Sequence, residues 1–513
     1  MGPRYHRPDI ATPAGWKVDA TSTGPEAAVQ SQQSATAAAK GSPSPPGAGQ
    51  PKAAAPAQGS AAQATLSSSL LPQAPIAPAN NVAPAWPSAD WWHGFGSAQL
   101  DQLMSQAQHA NDDIAAAIAR VRQADAQVQI AGAPLLPALS LGANASRQRA
   151  RSSLVANSPP VTYSQMGAQA SASYEIDFWG KNRAKRHAAE FAAEASRYDR
   201  ATVELTVMTS VATTYFQALE LHDRLDVAEQ NLASAQTILK DLTFEEYVGT
   251  AAALDVAQQA TTVAALNAAI PPLRQQLRQT LDALAVLTGR LPQELPDPSG
   301  TLKDLAEPQV GPGMPSELLA RRPDVAQSEA QLKSANANIA AARAAFFPSI
   351  DLAAEGGYVS SALSGLFDPI NRLWTLSAGL TQPIFQGGAL LGGYRLTKAQ
   401  YEELLADYHK AVISAFSNVE DALNTAQQTA EQYRREQLAV DKARRAYEIT
   451  ETELHAGTVN VLTVLNTQGA LFSAEDTLVQ VRFSHLQALV QLFNALGGGW
   501  SHSGLPSQPA GSG

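Results

Sequence analysis

The chain has 513 residues, of which 45% are hydrophobic and 16% charged, with a formal net charge of -10 and no cysteine. The acidic balance argues against nucleic-acid binding, and the lack of cysteine excludes disulfides, thiolate metal sites and cysteine nucleophiles. No apolar run approaches the roughly 18 residues that a membrane-spanning helix needs. The nine histidines are scattered, and no His-Glu-x-x-His stretch occurs. The composition therefore predicts no enzyme, no metal site and no cofactor.

The N-terminal part of the chain holds little that could form a core. Residues 1–19 form a short arm that ends near Trp16, and residues 20–85 are rich in Ala, Pro, Ser, Gln and Gly. Such a segment buries too little apolar surface to offset its conformational entropy, so we expect residues 20–85 to be disordered. Met1 leads directly into Gly2 and Pro3 without a signal peptide, which indicates a cytosolic start unless a leader is missing or removed.

Four short segments are predicted to be strands because apolar and small polar residues alternate in them. They lie at residues 139–146, 165–176, 350–355 and 374–381. Aromatic residues stand near their ends, namely Tyr174, Phe178, Trp179, Tyr358, Trp374 and Phe385. This combination is typical of outer-membrane barrel strands. One segment alone would favour a soluble hairpin, but two segments in each half of the chain favour the barrel.

Two long segments, residues 181–248 and 394–456, contain neither Gly nor Pro. Their apolar residues recur in alternating steps of three and four, which predicts coiled-coil packing. The chain then reverses at Gly249-Thr250 and at Gly457-Thr458-Val459, where each glycine can take the left-handed conformation that ends a helix. Each segment therefore begins a long helical hairpin, although for one hairpin alone a plain coiled-coil rod is an equally good interpretation.

The two hairpins are equivalent, so the chain is a tandem duplication. Gly249-Thr250 corresponds to Gly457-Thr458, and Leu254 corresponds to Leu462. The repeat is too long for a solenoid unit, and each half is therefore a structural module. The predicted divisions are an arm (1–19), a disordered segment (20–85), a first repeat (86–298), a linker (299–315), a second repeat (316–500) and a disordered tail (501–513).

The number of strands limits how the chain can assemble. Four strands cannot close a barrel, and an open sheet edge is not stable in lipid. Two chains would supply eight strands, about enough for a barrel filled by its own side chains. Three chains would supply twelve strands and leave a lumen, which the long helices would extend as a sheath.

Several stretches, in this order and spacing, carry a resemblance to a known family. They are Gly2-Pro3-Arg4-Tyr5-His6-Arg7-Pro8, Trp91-Trp92, Tyr174-Glu175-Ile176-Asp177-Phe178-Trp179-Gly180, Leu319-Ala320-Arg321-Arg322-Pro323-Asp324, Pro383-Ile384-Phe385-Gln386-Gly387-Gly388 and Leu496-Gly497-Gly498-Gly499-Trp500. With the two Gly-Thr tips, they make the chain similar to the TolC-like outer-membrane efflux family, in particular the lipoprotein branch that serves RND-type multidrug pumps. The resemblance covers nearly the whole chain except residues 20–85.

The resemblance implies a mixed α+β fold that is mostly α. Long coiled-coil hairpins would form an α-barrel, and four strands per chain would contribute to a twelve-strand transmembrane β-barrel in a homotrimer. The implied function is a passive exit duct for drugs or other small molecules in the outer membrane. Its partners would be a periplasmic adaptor, an inner-membrane RND-type pump and outer-membrane lipid. The alternative is a structural trimeric coiled-coil envelope protein without a conducting lumen.

Two features depart from the family pattern. Members of this branch usually carry a signal peptide and a lipid-modified cysteine before the Gly-Pro-x-Tyr stretch, where Met1 stands here. They often carry an Asp and an Arg just inside the tunnel mouth, where this chain has Asn466 and Gly469. We therefore expect the mouth to be closed by Leu462 packing and by Asn466 amide hydrogen bonds rather than by ion pairs.

Further site predictions concern the ends of the hairpins. Leu254 and Asp255 lie near the first tip, where Asp255 could line the mouth or merely be solvated. The tips themselves are the points farthest from the strands and are predicted to contact the adaptor. The predicted contact residues are Gly249, Thr250, Gly457, Thr458 and Val459.

Overall fold

The computed structural model describes residues 5–8, 16, 86–151, 159–311 and 313–501. The helices in these ranges are α1 (Ala98–Ala110), α2 (Asp112–Gly132), α3 (Lys181–Val248), α4 (Ala253–Leu287), α5 (Pro315–Arg321), α6 (Pro323–Ala344), α7 (Ala389–His455) and α8 (Val461–Ala495). The strands are β1 (Ala138–Ala150), β2 (Val161–Glu175), β3 (Ser349–Ser360) and β4 (Arg372–Thr381). The segment predicted to be disordered, residues 20–85, lies outside these ranges, and so does the tail after residue 501. The description of the first repeat begins at Trp86.

Two long helical hairpins dominate the fold. Helix α3 has 68 residues and α7 has 67, while their return helices α4 and α8 have 35 each. At about 1.5 Å of rise per residue, α3 is about 100 Å long. The predicted three-and-four repeat of α3 runs from Val207 to Leu242, and its members are buried or half-buried, with Val211 and Ala235 fully buried. The nearly equal lengths of the two hairpins and the burial of this repeat confirm the predicted coiled-coil duplication.

The four strands form one antiparallel sheet in the order β1-β2-β3-β4. Their registers run without interruption, as in the pairs Leu141↔Ala170 and Ala354↔Leu376. Regular pairing puts the alternating apolar side chains on one shared face of the sheet. Within the described ranges, β1 and β4 each pair with one strand and form the two edges of the sheet. The four predicted strands are confirmed.

All four strands join their helices at the same end of the sheet, and the Tyr174–Gly180 stretch makes one of these junctions. The Asp177 carboxylate accepts hydrogen bonds from the backbone N–H groups of Asn182 (2.9 Å) and Arg183 (2.8 Å) at the start of α3. Burial acts to raise the pKa of Asp177, but these hydrogen bonds outweigh it and hold the pKa below its ordinary value. Asp177 therefore stays ionised as a cap for the positive end of the helix.

Between the sheet and the hairpin tips, each repeat packs its return helix onto a short helix. Gly289 follows α4 with φ 66°, and Gly497 follows α8 with φ 86°. A Cβ at Gly289 would collide with the carbonyl oxygen of Ala110, and one at Gly497 with that of Arg321. These carbonyls end α1 and α5, so glycine permits the same close approach in both halves.

Aromatic stacking and one buried arginine complete this central layer. Trp91 stacks on Phe493 of α8 with ring centroids 5.0 Å apart. The buried Arg322 side chain donates to the carbonyl oxygen of Ala495 over 3.0 Å and pairs with Asp324 over 2.6 Å. The Trp91-Trp92 and Arg-Pro-Asp motifs are therefore explained by packing and hydrogen bonding in this layer.

The segment between the repeats is packed against the helices. Leu302 and Leu305 are buried in the main core, and the Leu302 N–H donates to Asp223 of α3 over 2.9 Å. The Arg482 side chain donates to the carbonyl oxygen of Leu305 over 2.9 Å and forms an ion pair with Glu307. The linker thus connects α3 to α8 as part of the core.

Candidate functional site

The two hairpin tips have the same hydrogen-bonding geometry. Gly249 has φ 83° and Gly457 has φ 69°, so both adopt the left-handed conformation predicted for them. At the first tip, the N–H and the hydroxyl of Thr250 both donate to the carbonyl oxygen of Glu245, over 2.8 Å and 3.0 Å. At the second tip, Thr458 donates in the same way to Glu453, over 3.0 Å in each case. The Gly-Thr pair therefore satisfies a carbonyl that the end of the helix leaves unpaired.

The return helices start with different caps. The Asp255 carboxylate accepts the Ala252 N–H over 3.3 Å, whereas the Asn460 side chain accepts the Thr463 N–H over 3.0 Å. Asp255 is half-buried and Val459 is likewise half-buried between the Gly-Thr pair and α8. Asp255 thus has a structural role as a helix cap, in addition to any contact with the lumen.

The predicted gate residues lie on the outside of the single chain. Leu254 is 65% exposed and Leu462 is 50% exposed, and Asn466 is also exposed. Leu462 and Asn466 are one helical turn apart on α8 and share a face. The structure brings these two together but places Leu254 and Asp255 on the other hairpin. None of the three exposed side chains belongs to the core that the described residues form.

A contact between the two hairpins was not predicted. Burial raises the pKa of the Tyr447 hydroxyl on α7, and the neighbouring Ser234 hydroxyl on α3 acts in the opposite direction. Tyr447 lies seven residues after the buried Val440 and continues the seam of α7. The heptad pattern could therefore have identified Tyr447 as inward-facing, but it could not have named the helix that Tyr447 meets.

A buried polar side chain close to the second tip was also missed. Gln468 is buried on α8, and within the described ranges neither its amide nitrogen nor its amide oxygen has a hydrogen-bond partner. Val461, Val464 and Leu471 are buried at steps of three and four around it. Gln468 therefore occupies a coiled-coil core position, where a polar residue specifies alignment at a cost in stability.

The first tip carries exposed aromatic side chains that the second tip lacks. Phe244 is 66% exposed and Tyr247 is 87% exposed in the last two turns of α3. Thr452 and His455 stand at the corresponding positions of the second repeat. The two tips thus share their backbone geometry but differ in apolar surface.

The predicted aromatic ends of the strands divide between the two ends of the sheet. Tyr358 and Trp374 lie at the end away from the helices, and Tyr174, Phe178, Trp179 and Phe385 lie at the end near the helices. Trp374, Phe178 and Phe385 are exposed. Trp179 is held inward, since its indole N–H donates to the carbonyl oxygen of Pro348 over 2.9 Å and its ring stacks on Phe347.

Two further properties of the described ranges bear on function. No helix in them is both long enough and apolar enough to cross a membrane. No group of three or more His, Asp or Glu side chains is placed there to hold a metal ion.

Comparisons with known proteins agree across family, relatives and structures. Residues 103–290 and 314–498 match the family described as outer membrane efflux protein. The chain is 43% identical over 428 residues to the pyoverdine export outer membrane protein OpmQ of Pseudomonas putida, covering 82% of this chain and 91% of the relative. It is 41% identical over 416 residues to OpmQ of Pseudomonas aeruginosa, covering 80% and 87%.

A solved structure gives the same result. The outer membrane protein VceC of Vibrio cholerae superposes with a TM-score of 0.75 and 26% identity, covering 81% of this chain and 100% of that one. Both repeats of the chain are included in the family match, so the similarity extends over both hairpins.

Proposed function

The chain belongs to the outer membrane efflux protein family, and we propose that it acts as a homotrimer whose three sheets close one twelve-strand barrel. It is an outer-membrane efflux channel and not an enzyme. The exported molecule would pass through a lumen that begins between the helical hairpins and ends at the far side of the sheet. The channel would supply the path, and a pump would supply the energy.

The observation that carries this proposal is the open sheet with an apolar face. Leu139, Leu141, Leu376 and Leu380 are strongly exposed on one face, and β1 and β4 remain as edges. Unpaired edges are not stable in lipid, so they need partner strands. Pairing β4 of one copy with β1 of the next removes every edge once the ring closes. Three copies leave a lumen, whereas two would be filled by side chains.

We propose that the tips at Gly249-Thr250 and Gly457-Thr458-Val459 contact a periplasmic adaptor. The exposed Phe244 and Tyr247 support this assignment, since aromatic side chains are enriched at protein interfaces. The first tip would supply most of the apolar contact area. The adaptor would connect the channel to an inner-membrane pump, for which the family resemblance suggests the RND class.

We propose that Leu462, Asn466, Leu254 and Asp255 surround the closed periplasmic mouth. Leu462 and Asn466 are exposed on one face of α8, which leaves them free to meet their copies around a threefold axis. Asn466 can form hydrogen bonds but no ion pair. The closed state would therefore rest mainly on apolar packing.

The cargo is the least constrained part of the proposal because a passive duct selects weakly. The two relatives compared above are named for pyoverdine export. We therefore propose pyoverdine-type molecules as the first cargo to test, with drugs as the second class. Export from cells that lack the gene for this chain and then regain it would show which class accumulates outside.

The assembly is tested by measuring the native mass of the purified protein in detergent. We expect a mass of three chains, together with intersubunit crosslinks between cysteines placed on β1 and β4. The 513-residue sequence has no cysteine, so crosslinks formed in it report only the introduced pair. A stable monomer or dimer would exclude the twelve-strand barrel.

A further inference from the structure

The end of the sheet away from the helices, here called the distal end, carries arginines that an export path does not require. Arg147 and Arg149 lie among the last four residues of β1, Arg151 follows the end of β1, and Arg372 is the first residue of β4. All four side chains are exposed. The whole chain is acidic, with a net charge of -10, so these arginines are not part of a generally basic surface.

Strand register decides which way three of these arginines face. The pairs Leu139↔Ala172, Ala172↔Ala354 and Ala354↔Leu376 define one face across all four strands. Arg147 and Arg149 are an even number of residues from Leu139, so they lie on this face.

Arg372 belongs to the same face for the same reason. It pairs with Tyr358 and is an even number of residues from Leu376. This face holds the exposed leucines and Trp374. In the proposed barrel it is the face that meets lipid.

The arginines stand at the height of a membrane boundary. Arg147 is nine residues from Ala138, where β1 starts, and Arg372 is nine residues from Thr381, where β4 ends. The eight residue steps from Leu139 to Arg147 span about 26 Å along the strand at about 3.3 Å per step. This corresponds to about 20 Å of membrane depth for a strand tilted by about 40°. An apolar band is about 25 Å tall, and aromatic residues mark its boundary. Trp374 occupies that place, and Arg372 lies two residues beyond it.

The protein itself offers these cations little negative charge. In the described ranges no ion pair involves Arg147, Arg149, Arg151 or Arg372, and the pairs Lys181–Glu175 and Arg183–Asp177 lie at the other end of the sheet, near the helices. Asp351 and Glu355 are an odd number of residues from Ala354 and so face the lumen side. Asp368, in the loop before β4, is the one carboxylate in the sequence of residues 356–372.

We propose that Arg147, Arg149 and Arg372 bind the phosphate groups of the phosphorylated glycolipid in the outer leaflet of the membrane. Guanidinium groups match phosphate by paired hydrogen bonds, which favours arginine over lysine at such sites, and residues 138–175 and 349–381 contain no lysine. This inference rests on the proposed trimer, in which β4 of one protomer lies beside β1 of its partner. That pairing would gather Arg372 from one copy with Arg147 and Arg149 from the next, in three clusters around the barrel.

The test measures binding of bisphosphorylated lipid A to the purified full-length protein in detergent by native mass spectrometry. The variant Arg147→Gln/Arg149→Gln/Arg372→Gln should bind it at least about tenfold more weakly, since hydrogen bonds to charged groups contribute on that scale. The matched control is Arg122→Gln/Arg278→Gln/Arg395→Gln, which removes three exposed helical arginines that form no ion pair within the described part of the chain. We expect the control to bind like the wild type.

Three further arms identify the ligand. Lipid A without phosphate should bind weakly to every variant. Inorganic phosphate should compete with bisphosphorylated lipid A only at far higher concentration. The corresponding triple Arg→Lys variant should bind lipid A more weakly than the wild type and more tightly than the triple Gln variant. Equal binding by the triple Gln variant, equal loss in the control, or equal competition by inorganic phosphate would overturn the proposal. Single Gln variants carry the test if the triple variant does not assemble.

The native mass recorded in the same experiment separates this inference from the proposed function. A trimer without phosphate-dependent lipid binding overturns the arginine proposal alone. Loss of the trimer in the wild type overturns the barrel on which it depends.

Discussion

At the scale of single residues, the hairpin tips show how backbone geometry restricts sequence. Gly457 has open space around its Cα, so no neighbouring atom would collide with an added side chain. Its φ of 69° is nevertheless a conformation that other L-residues adopt at a cost. The glycine at the tip is therefore explained by conformation and not by packing.

Replacing Gly457 with Val should strain the second tip by about 1–3 kcal/mol. Export should fall while the trimer still inserts into the outer membrane, because the strain is confined to the tip. Export assays and membrane fractionation measure the two effects separately. The control is Gly469→Ala, which is equally free of contacts but lies inside α8 without a positive φ, and it should be neutral or slightly stabilising. Normal export by the Gly457 variant would count against the tip assignment.

Replacing Leu462 with Ala should raise the resting conductance of the channel, because it removes apolar packing at the proposed mouth. The control Leu438→Ala changes another exposed leucine of the long hairpins and should leave the resting current unchanged. A mouth held by neutral hydrogen bonds of roughly 0.5–1.5 kcal/mol each should open with little dependence on salt. Strong salt dependence in the wild type, or an unchanged current in the Leu462 variant, would place the constriction elsewhere.

At the scale of secondary-structure elements, the sequence predicts some features closely and others not at all. Helix α3 begins after Gly180 and ends before Gly249, both with positive φ, so local chemistry defines its ends. The heptad marks which face of a helix is buried but not which helix it meets. This is why the Tyr447–Ser234 contact and the outward position of Leu254 could not be predicted. The alternation of apolar and polar residues predicted the four strands correctly, because strands that pair without interruption keep a strict two-residue period of side-chain direction.

Gln468 is the element-scale feature with the clearest consequence for opening. Its amide is buried with no hydrogen-bond partner among the residues that the structure describes, and such a group costs about 1–3 kcal/mol. Replacing it with Leu should raise the thermal stability of the trimer and reduce the frequency of channel opening. The Gln480→Leu variant changes an exposed glutamine of the same helix and serves as the control. A Gln468 variant that is no more stable than the wild type would show that water or a neighbouring copy satisfies the amide.

His485 predicts how stability depends on pH. It is buried in the α7–α8 seam, 3.2 Å from the Thr429 hydroxyl and 3.7 Å from the Glu307 carboxylate. Burial lowers the pKa of His485 below its ordinary value of 6.5. The negative charge of Glu307 acts to raise this pKa, and the positive charge of the nearby Arg482 acts to lower it. As the pH falls below about 6.5, His485 therefore takes up a proton in the unfolded chain before it does so in the folded protein. This difference in proton binding lowers the free energy of unfolding.

The matching measurement compares thermal melting of the wild type and His485→Gln from pH 7.5 downward. Wild-type stability should be greatest above pH 6.5 and fall through the interval below it, while the variant should lose less over the same interval. Identical pH profiles would mean that His485 does not titrate differently in the two states.

At the scale of the whole molecule, the arm and the first repeat meet at one place. The Trp16 indole N–H donates to the carbonyl oxygen of Gly313 over 3.0 Å, and the Trp86 ring lies against the Cα of Gly313. Residues on either side of 20–85 are thus held at the same point of the surface.

Replacing residues 20–85 with a short Gly-Ser linker should therefore leave the trimer and its export intact. Circular dichroism, native mass and export of the deleted protein are compared with those of the full chain. The variant Trp16→Ala is the counterpart, because it removes a side chain buried in the core and should lower stability by about 3–5 kcal/mol. Failure of the deleted protein to fold would show that the segment packs.

The most direct test of a closed duct is single-channel recording of the purified protein in planar lipid bilayers. A trimeric barrel with helices closing its mouth predicts discrete current steps of low resting probability, which the Leu462→Ala variant makes frequent. A structural coiled-coil assembly without a lumen predicts no steps in either protein. The absence of unitary currents from correctly inserted trimers would contradict the account.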